Sequence, residues 1–380
     1  MSGFTVGVEE EYQLVDPETG DLLSRARSVL AADWTGEVRH EIQESTVEIG
    51  TRVSRSAGEL EQELERLRFQ TATAAAAEGL QIVAAGLHPT SRWEVQTRTE
   101  GERYARMAEE YGRTAKDEHN FGMHIHVAVP TSGECIPLLN AVRFYLPHML
   151  ALSCSSPFYE GSDTGYASYR MILWRRWPNS GVPPFFRSQE EYRAHVELLL
   201  RSRAIGDERN LYWSLRPHPR YPTLEFRVTD VCPRVEDAAA IAALARAIVA
   251  GAADGVLEKD PWPKISTDLA HALLAGNEWR AARYGLDALL VEPTAAEGST
   301  RVREAIQRLV ERLSRVAEAL GDGPALGRVD TILERGNGAD RIRRVYQECG
   351  GFRPLISWLA GETMLGTGMD RRSVQREACA

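Results

Sequence analysis

Short segments of this chain carry acids, histidines and arginines at spacings that can do chemistry. In Thr5–Val15, TVGVEEEYQLV, Glu9 and Glu11 stand two residues apart inside a run with strand character. A strand repeats its side chains every second residue, so these two share one face while Val8, Glu10 and Tyr12 share the other. Paired carboxylates on one side of a strand repel each other and lose solvation unless a cation sits between them, which suggests a divalent metal. The alternative is an edge strand with a solvated acidic face, since exposed charge is the commoner fate of Glu. In Phe121–Pro130, FGMHIHVAVP, His124 and His126 point to one side of a strand. They can bind a metal or a phosphate-bearing ligand, or stand as satisfied structural histidines. In Thr223–Val228, Glu225 and Arg227 share a face. They are either a structural ion pair or, beside a metal-nucleotide site, divide the work, with Glu225 on the cation and Arg227 on phosphate oxygens.

The elements around these segments follow from local pattern. Asp16 to Gly20, DPETG, is turn chemistry. Val38–Thr51 reads as a second extended stretch, with Glu41 and Gln43 on one face and Glu44 and Glu48 in phase on the other if the strand is unbroken. A bulge or bend near Ser45 and Thr46 would change that phase. Ser56 with Glu59 has the spacing of a capping box, and Leu60, Leu64 and Leu67 continue at helical intervals towards Gly79. Leu80–Ala85 reads as a buried strand, Glu102–Tyr111 as a helix, and Glu134–Ser153 as a long helix with Pro137 near its start and a kink at Pro147. Ser155–Ser188 is irregular and rich in large side chains, among them Tyr169, Arg170, Trp174 and Trp177. It reads either as a substrate-covering segment or as a loop whose aromatics plug the core. Glu236–Leu257 is an alanine-rich helix suited to close packing on a sheet, and Val302–Leu320 is an amphipathic helix stopped by Gly321. No internal repeat or low-complexity linker is evident, so residues 1–365 are expected to form a single catalytic domain and 366–380 a flexible tail.

Composition limits the function classes. At 380 residues, 43% hydrophobic and 26% charged, the chain is of soluble globular type. Its formal net charge of -9 argues against a general nucleic-acid binder, which needs a basic surface to displace counterions. A local arginine cluster or a bound metal can still attract small anions. The five cysteines form no CxxC pair, which suits reduced thiols in a cytoplasm. Neither a secretory signal nor a membrane span is expected, because the most apolar long run, Ala238–Ala252, is short and interrupted by Arg246.

Taken in order, GVEEEYQLVDP, HEIQESTVEIGT, FGMHIHV and TLEFRVTDVCP resemble the carboxylate-amine ligase family related to bacterial glutamate-cysteine ligase, type 2, the YbdK-like group. The resemblance spans about residues 4–350, and the ordered set of segments is far more specific than any one of them. It implies an α+β fold like the glutamine synthetase catalytic domain, a curved antiparallel sheet with helices on the convex face. It further implies ATP-dependent joining of a carboxylate, typically the γ-carboxylate of glutamate, to an amine such as that of cysteine, through an acyl phosphate. Mg2+ or Mn2+ would be bound by Glu9, Glu11, Glu41, Glu48, His124 and Glu225. Arg227, with Arg170 and Arg216, would meet the nucleotide's phosphates and stabilise the transferring group, so that Arg227, Glu225 and His124 form the catalytic set. A homodimer is a further expectation. Gln43 stands where a different mix of acids is common in dedicated glutamate-cysteine ligases, and a second histidine at 126 matches the YbdK-like group.

Other readings remain open on sequence. A metal-dependent amide hydrolase acting on glutamyl amides could use the same scaffold, as the Pup ligase and its depupylase counterpart use related folds in opposite directions. A catalytically weak nucleotide or amino-acid binding protein would retain ligand binding in Glu9→Gln and Glu225→Gln.

Overall fold

The computed structural model of the chain describes residues 3–130 and 135–368. Its central strand is β1 (Val6–Val15). β2 (Val38–His40) and β3 (Thr46–Gly50) pair with each other, and β3 lies along one edge of β1 with Glu48 opposite Glu11. The other edge of β1 is shared by β4 (Gln81–Val83), which meets Gln13 to Val15, and β5 (Gly122–Ala128), which meets Val6 to Glu10. β6 (Phe158–Tyr159) and β7 (Ser162–Asp163) make a small separate hairpin. β8 (Leu215–Pro217) and β9 (Thr223–Asp230) extend the main sheet to the order β2-β3-β1-β5-β9-β8, with every pairing antiparallel. β10 (Leu289–Val291) and β11 (Ser299–Arg301) form a second short hairpin. Helices cover one face of the main sheet, giving the α+β architecture.

The alternation of β1 decides which face is which. Val6, Val8, Glu10 and Tyr12 are buried against the helix layer, while Gly7, Glu9 and Glu11 are half-buried on the other side. The helix Ala57–Ala77 supplies the cover, its leucines at 60, 64 and 67 fully enclosed. Its Arg68 meets Glu10 in a two-point ion pair at 2.7 and 3.0 Å and also donates to the carbonyls of Cys232 and Pro233. Ser56 caps this helix by accepting from the Glu59 amide. The Glu59 carboxylate takes the Arg55 amide rather than that of Ser56, so the reciprocal half of the capping box lands one residue early. The alanine-rich helix Val235–Ala253 is buried on almost every side, as small side chains permit. Gly321 stops Val302–Leu320 in the left-handed conformation, at φ 79°.

Several sequence expectations are altered by the fold. Val38–Thr51 is not one strand: the chain turns at 41–45, where Gln43 bridges to Arg98, and comes back as a hairpin. The turn cancels the simple phase, so Glu48 faces the Glu11 side while Glu44 is tied to the Arg27 amide at 3.0 Å. The expected long helix is two, Cys135–Val142 and Leu146–Ser153, separated by a tighter turn at Arg143–Tyr145, with Pro147 in the first turn of the second. Proline suits that position because its missing N–H would have no partner there. The proposed start at Glu134 lies outside the described residues, as does the tail from 369. Ser155–Ser188 is only partly irregular, since it contains the β6–β7 hairpin and a helix Tyr169–Trp174 capped by Ser168. Among the described residues, the stretch long and apolar enough to cross a membrane is Cys135–Ser153, not Ala238–Ala252, and most of it is buried inside the protein.

Candidate functional site

Opposite the helix layer, the strands line a cavity of about 460 Å3. Register builds its floor. Glu11 on β1 faces Glu48 on β3, Glu9 faces His124 on β5, and on the next rung His126 faces Glu225, which in turn faces Arg216 on β8. Gly7 stands opposite His126. Between β5 and β9 the pairing shifts by one residue, so that Arg227 and Val228 together span the position opposite His124. A bulge of this kind re-aims a side chain, and Arg227 reaches the cavity here. The turn at 41–45 brings in Glu41.

Glu9, Glu11, Glu41, Glu48, His124, Glu225, Arg216 and Arg227 therefore line one cavity, although they come from five separate segments. Arg170 does not. Its side chain is fully buried on the cavity side of the sheet but does not line the cavity; it lies 3.7 Å from Asp230 and packs so closely on Gly122 that a Cβ there would overlap the guanidinium. The alternation that puts Tyr169 and Arg170 on different sides of a short helix is what sequence could not orient. Asp230 is held in turn by the Ser155 amide at 2.9 Å and by the hydroxyls of Ser156 and Ser168 at 2.7 and 2.8 Å. Arg170 thus buttresses the Gly122 end of the floor from within the protein.

The charges in the cavity are strongly interdependent. Burial alone would raise Glu9, but hydrogen bonds and charge from His124 and His126 bring it far below the usual carboxylate range. The imidazole nitrogens concerned lie 3.4 and 3.5 Å from its Oε2. Glu11 behaves oppositely: burial and the charge of Glu41 push it up to about 8, against the opposing effects of Arg170, the Gly122 amide and Arg227. Glu48 is also raised well above the usual carboxylate range, by burial and by Glu9, Glu41 and Glu11 together. Burial also raises Glu41. Glu225 is gripped by two guanidiniums, Arg216 at 2.7 and 3.2 Å and Arg227. These cations overcome its burial and hold it ionised. Burial and the Arg227 charge lower His124 to about 4, so its ring is neutral near pH 7 and able to act as a ligand.

The residues fit a divalent cation. Ligand atoms of Glu9, His124 and Glu225 lie within 4.8 Å of one another. The Nε2 atom of His124 is buried without a hydrogen-bond partner, an expensive condition for a polar group. Glu11, Glu41 and Glu48 add hard oxygen donors whose mutual repulsion a 2+ charge would relieve. Arg216 is fully engaged by Glu225 and by the carbonyls of Arg209 and Leu211. Arg227 has free capacity, since its buried Nε has no partner and its guanidinium stands 5.2 Å from the Trp174 ring centre.

The walls contain residues that pattern reading passed over as site residues. Glu118 is buried on one side beside Trp177, and Tyr212 closes the aromatic wall. The helix Glu102–Tyr111 brings Arg103 and Arg106 to the lining of the cavity. Glu118 sits only three residues before Phe121, and an acid so close to a histidine-bearing strand is the signal that could have marked it.

The family model described as "Glutamate-cysteine ligase family 2(GCS2)" matches residues 5–366. A protein of Herpetosiphon aurantiacus named "Putative glutamate-cysteine ligase 2" is 36% identical over 371 residues, covering 97% of this chain and 95% of that one. Among solved structures, the glutamate-cysteine ligase of Francisella tularensis in complex with AMP superposes with a TM-score of 0.72 at 13% identity, covering 98% of this chain and 90% of that one. The bifunctional glutathione synthetase of Pasteurella multocida superposes at 0.69 and 16% identity, over 96% of this chain and 52% of that one. At such low identity these structures show the fold.

Proposed function

This chain belongs to glutamate-cysteine ligase family 2, and on that premise we propose that it uses ATP to join a carboxylate, the γ-carboxylate of glutamate, to an amine such as that of cysteine. The observation that carries this reading is the convergence of the β1, β3, β5 and β9 acids on one cavity, with Arg227 at its side. Glu9, Glu11, Glu41, Glu48, His124 and Glu225 are the residues to hold Mg2+ or Mn2+. Such ions, when bound, neutralise and orient phosphate oxygens.

The chain's own residues then divide the remaining work. Glu225 stays ionised because Arg216 and Arg227 grip it, and Arg216 fixes its rotamer. Arg227, which lines the cavity, meets charge that develops on the transferring phosphoryl group, an electrostatic role that needs no nucleophilic side chain. Neutral His124 offers a lone pair without adding positive charge. Trp174, Trp177 and Tyr212 form an apolar wall that keeps water from an activated acyl group, the acyl phosphate of the carboxylate substrate. The buried support of Arg170 and Asp230 keeps Gly122, whose amide donates to Glu11, in place.

The test is ADP release measured over a panel of carboxylates and amines. Release that requires both glutamate and an amine supports the ligase. Amine release from glutamyl amides without nucleotide turnover would replace it with a hydrolase.

A further inference from the structure

Glu118 differs from the cavity carboxylates proposed to hold a cation. Glu225 is gripped by two guanidiniums and Glu9 by two imidazoles, whereas Glu11, Glu41 and Glu48 crowd one another. Glu118 stands apart from that crowd, and among the described residues it has no ion-pair partner. It is held by two neutral donors, the Trp177 indole N–H at 2.6 Å on Oε2 and the Asn120 amide on Oε1. Each oxygen keeps a lone pair for a third group. Beside it the rings of Trp177 and Tyr212 lie 4.9 Å apart, Trp174 and Tyr212 5.6 Å, and Tyr111 stands edge-on to Trp177 at 5.1 Å. Aromatic faces next to an unpaired carboxylate form a receptacle for an organic ammonium, attracted by both.

We propose that Glu118 is a catalytic base which takes a proton from the ammonium of the acceptor amine, and that the Trp177–Tyr212 wall holds this ammonium before attack. The idea rests on the ligase reading. An amine arrives at neutral pH mostly as R–NH3+, which has no lone pair. One N–H bond breaks and its proton passes to the Glu118 carboxylate. The freed lone pair forms the C–N bond at the acyl carbon, and the C–O bond to phosphate breaks with its electron pair leaving on phosphate. The second proton lost from nitrogen departs with inorganic phosphate as HPO4 2−, and Glu118 returns its proton to water.

The surroundings suit a group that changes charge during turnover. Burial pushes the Glu118 carboxyl up to about 7, against the opposing effects of the Trp177 donor, Arg176, Arg170 and the Asn120 donor. The other charged or titratable neighbours are the Tyr212 phenol and, on its own segment, Asp117 and His119. Asp117 is already paired with Arg113 and Arg176, and burial keeps the His119 ring neutral near pH 7. A base that titrates near the working pH is effective both in accepting a proton and in releasing it.

The experiment compares wild type and Glu118→Gln in amine-dependent ADP release across pH, with a primary amine and with hydroxylamine, which is largely unprotonated at neutral pH. With the primary amine, wild-type kcat/KM should rise with pH through about 7. In Glu118→Gln it should fall by about a hundredfold at neutral pH, with the rise displaced towards the amine's own ionisation. With hydroxylamine the loss should stay within about threefold, because no base is needed. Trp177→Phe removes a donor that favours the ionised carboxylate, so its acidic limb should move to higher pH; this measurement stands even where Glu118→Gln fails to fold. Equal losses with both acceptors would assign Glu118 a purely structural role and overturn the proposal. An unchanged profile in Glu118→Gln, or an unmoved limb in Trp177→Phe, would also overturn it while leaving the ligase intact. Absence of amine-dependent ADP release from wild type would instead remove the ligase reading, and this base with it.

Discussion

Glu10 and Glu11 are neighbours in sequence on one strand, yet they occupy opposite electrostatic situations. Glu10 points into the helix layer, where Arg68 meets it at two points and the Tyr12 hydroxyl donates at 2.5 Å. Its charge is balanced within the protein. Glu11 points into the cavity among Glu41 and Glu48, with the Gly122 amide as its donor and with no ion-pair partner among the described residues. Burial of a carboxylate therefore says little by itself. What separates a structural acid from a ligand-holding one is whether the protein completes its charge balance or leaves that to something that binds.

Substitutions at the two positions should break this contrast or sharpen it. The largest effect is expected on turnover: Glu11→Ala and His124→Ala should each lower kcat by at least roughly a thousandfold in the ADP-release assay, as for lost transition-state interactions. Unchanged kcat in both would place the cation cradle elsewhere. Glu10→Ala should instead strike stability, by about 3–5 kcal/mol in urea unfolding, because it leaves Arg68 buried and unpaired. A cost as small as that of a surface mutation would mean the pair is not enclosed as described.

Further effects follow from the charge left open. Mg2+ or Mn2+ should raise the melting temperature by a few degrees over a chelated sample, through binding to the folded form alone. The increment should survive in Glu10→Gln, if that variant folds, and vanish in Glu11→Gln. The open charge also gives a pH dependence in the absence of metal. Because Glu11 titrates at about 8 in the folded chain against 4.5 in the ordinary carboxyl, the folded state holds a proton that the unfolded state has released between these values. Metal-free stability should accordingly fall as pH rises from about 4.5 to about 8, and Glu11→Gln should remove that contribution. Denaturant midpoints at a series of pH values, in chelator, would detect it.

Much of the site floor was legible because a strand's period of two is a local property. It placed Glu9 with Glu11 and Glu225 with Arg227 before any pairing was known, and the same locality made Val302–Leu320 and its glycine stop readable. Placement that depends on turns was not legible. The reversal at 41–45 undid the phase between Glu44 and Glu48, and the short helix Tyr169–Trp174 buried Arg170 against Gly122 instead of in the cavity lining. The wall made by Glu118, Trp177 and Tyr212 joins segments that are remote in sequence, and no periodicity links them. Reading the ionic state needed coordinates as well, because the same residue type is lowered at Glu9 and raised at Glu11 by its neighbours alone.

The cation cradle is tested most directly by titrating Mn2+ into the protein and counting free ion by electron paramagnetic resonance, in wild type, Glu10→Gln and the double variant Glu9→Gln/Glu11→Gln. Saturable binding is expected in wild type and in folded Glu10→Gln, with loss of most of it in the double variant. Full Mn2+ binding by a folded double variant would contradict the assignment of the β1 cavity face as the metal-holding surface.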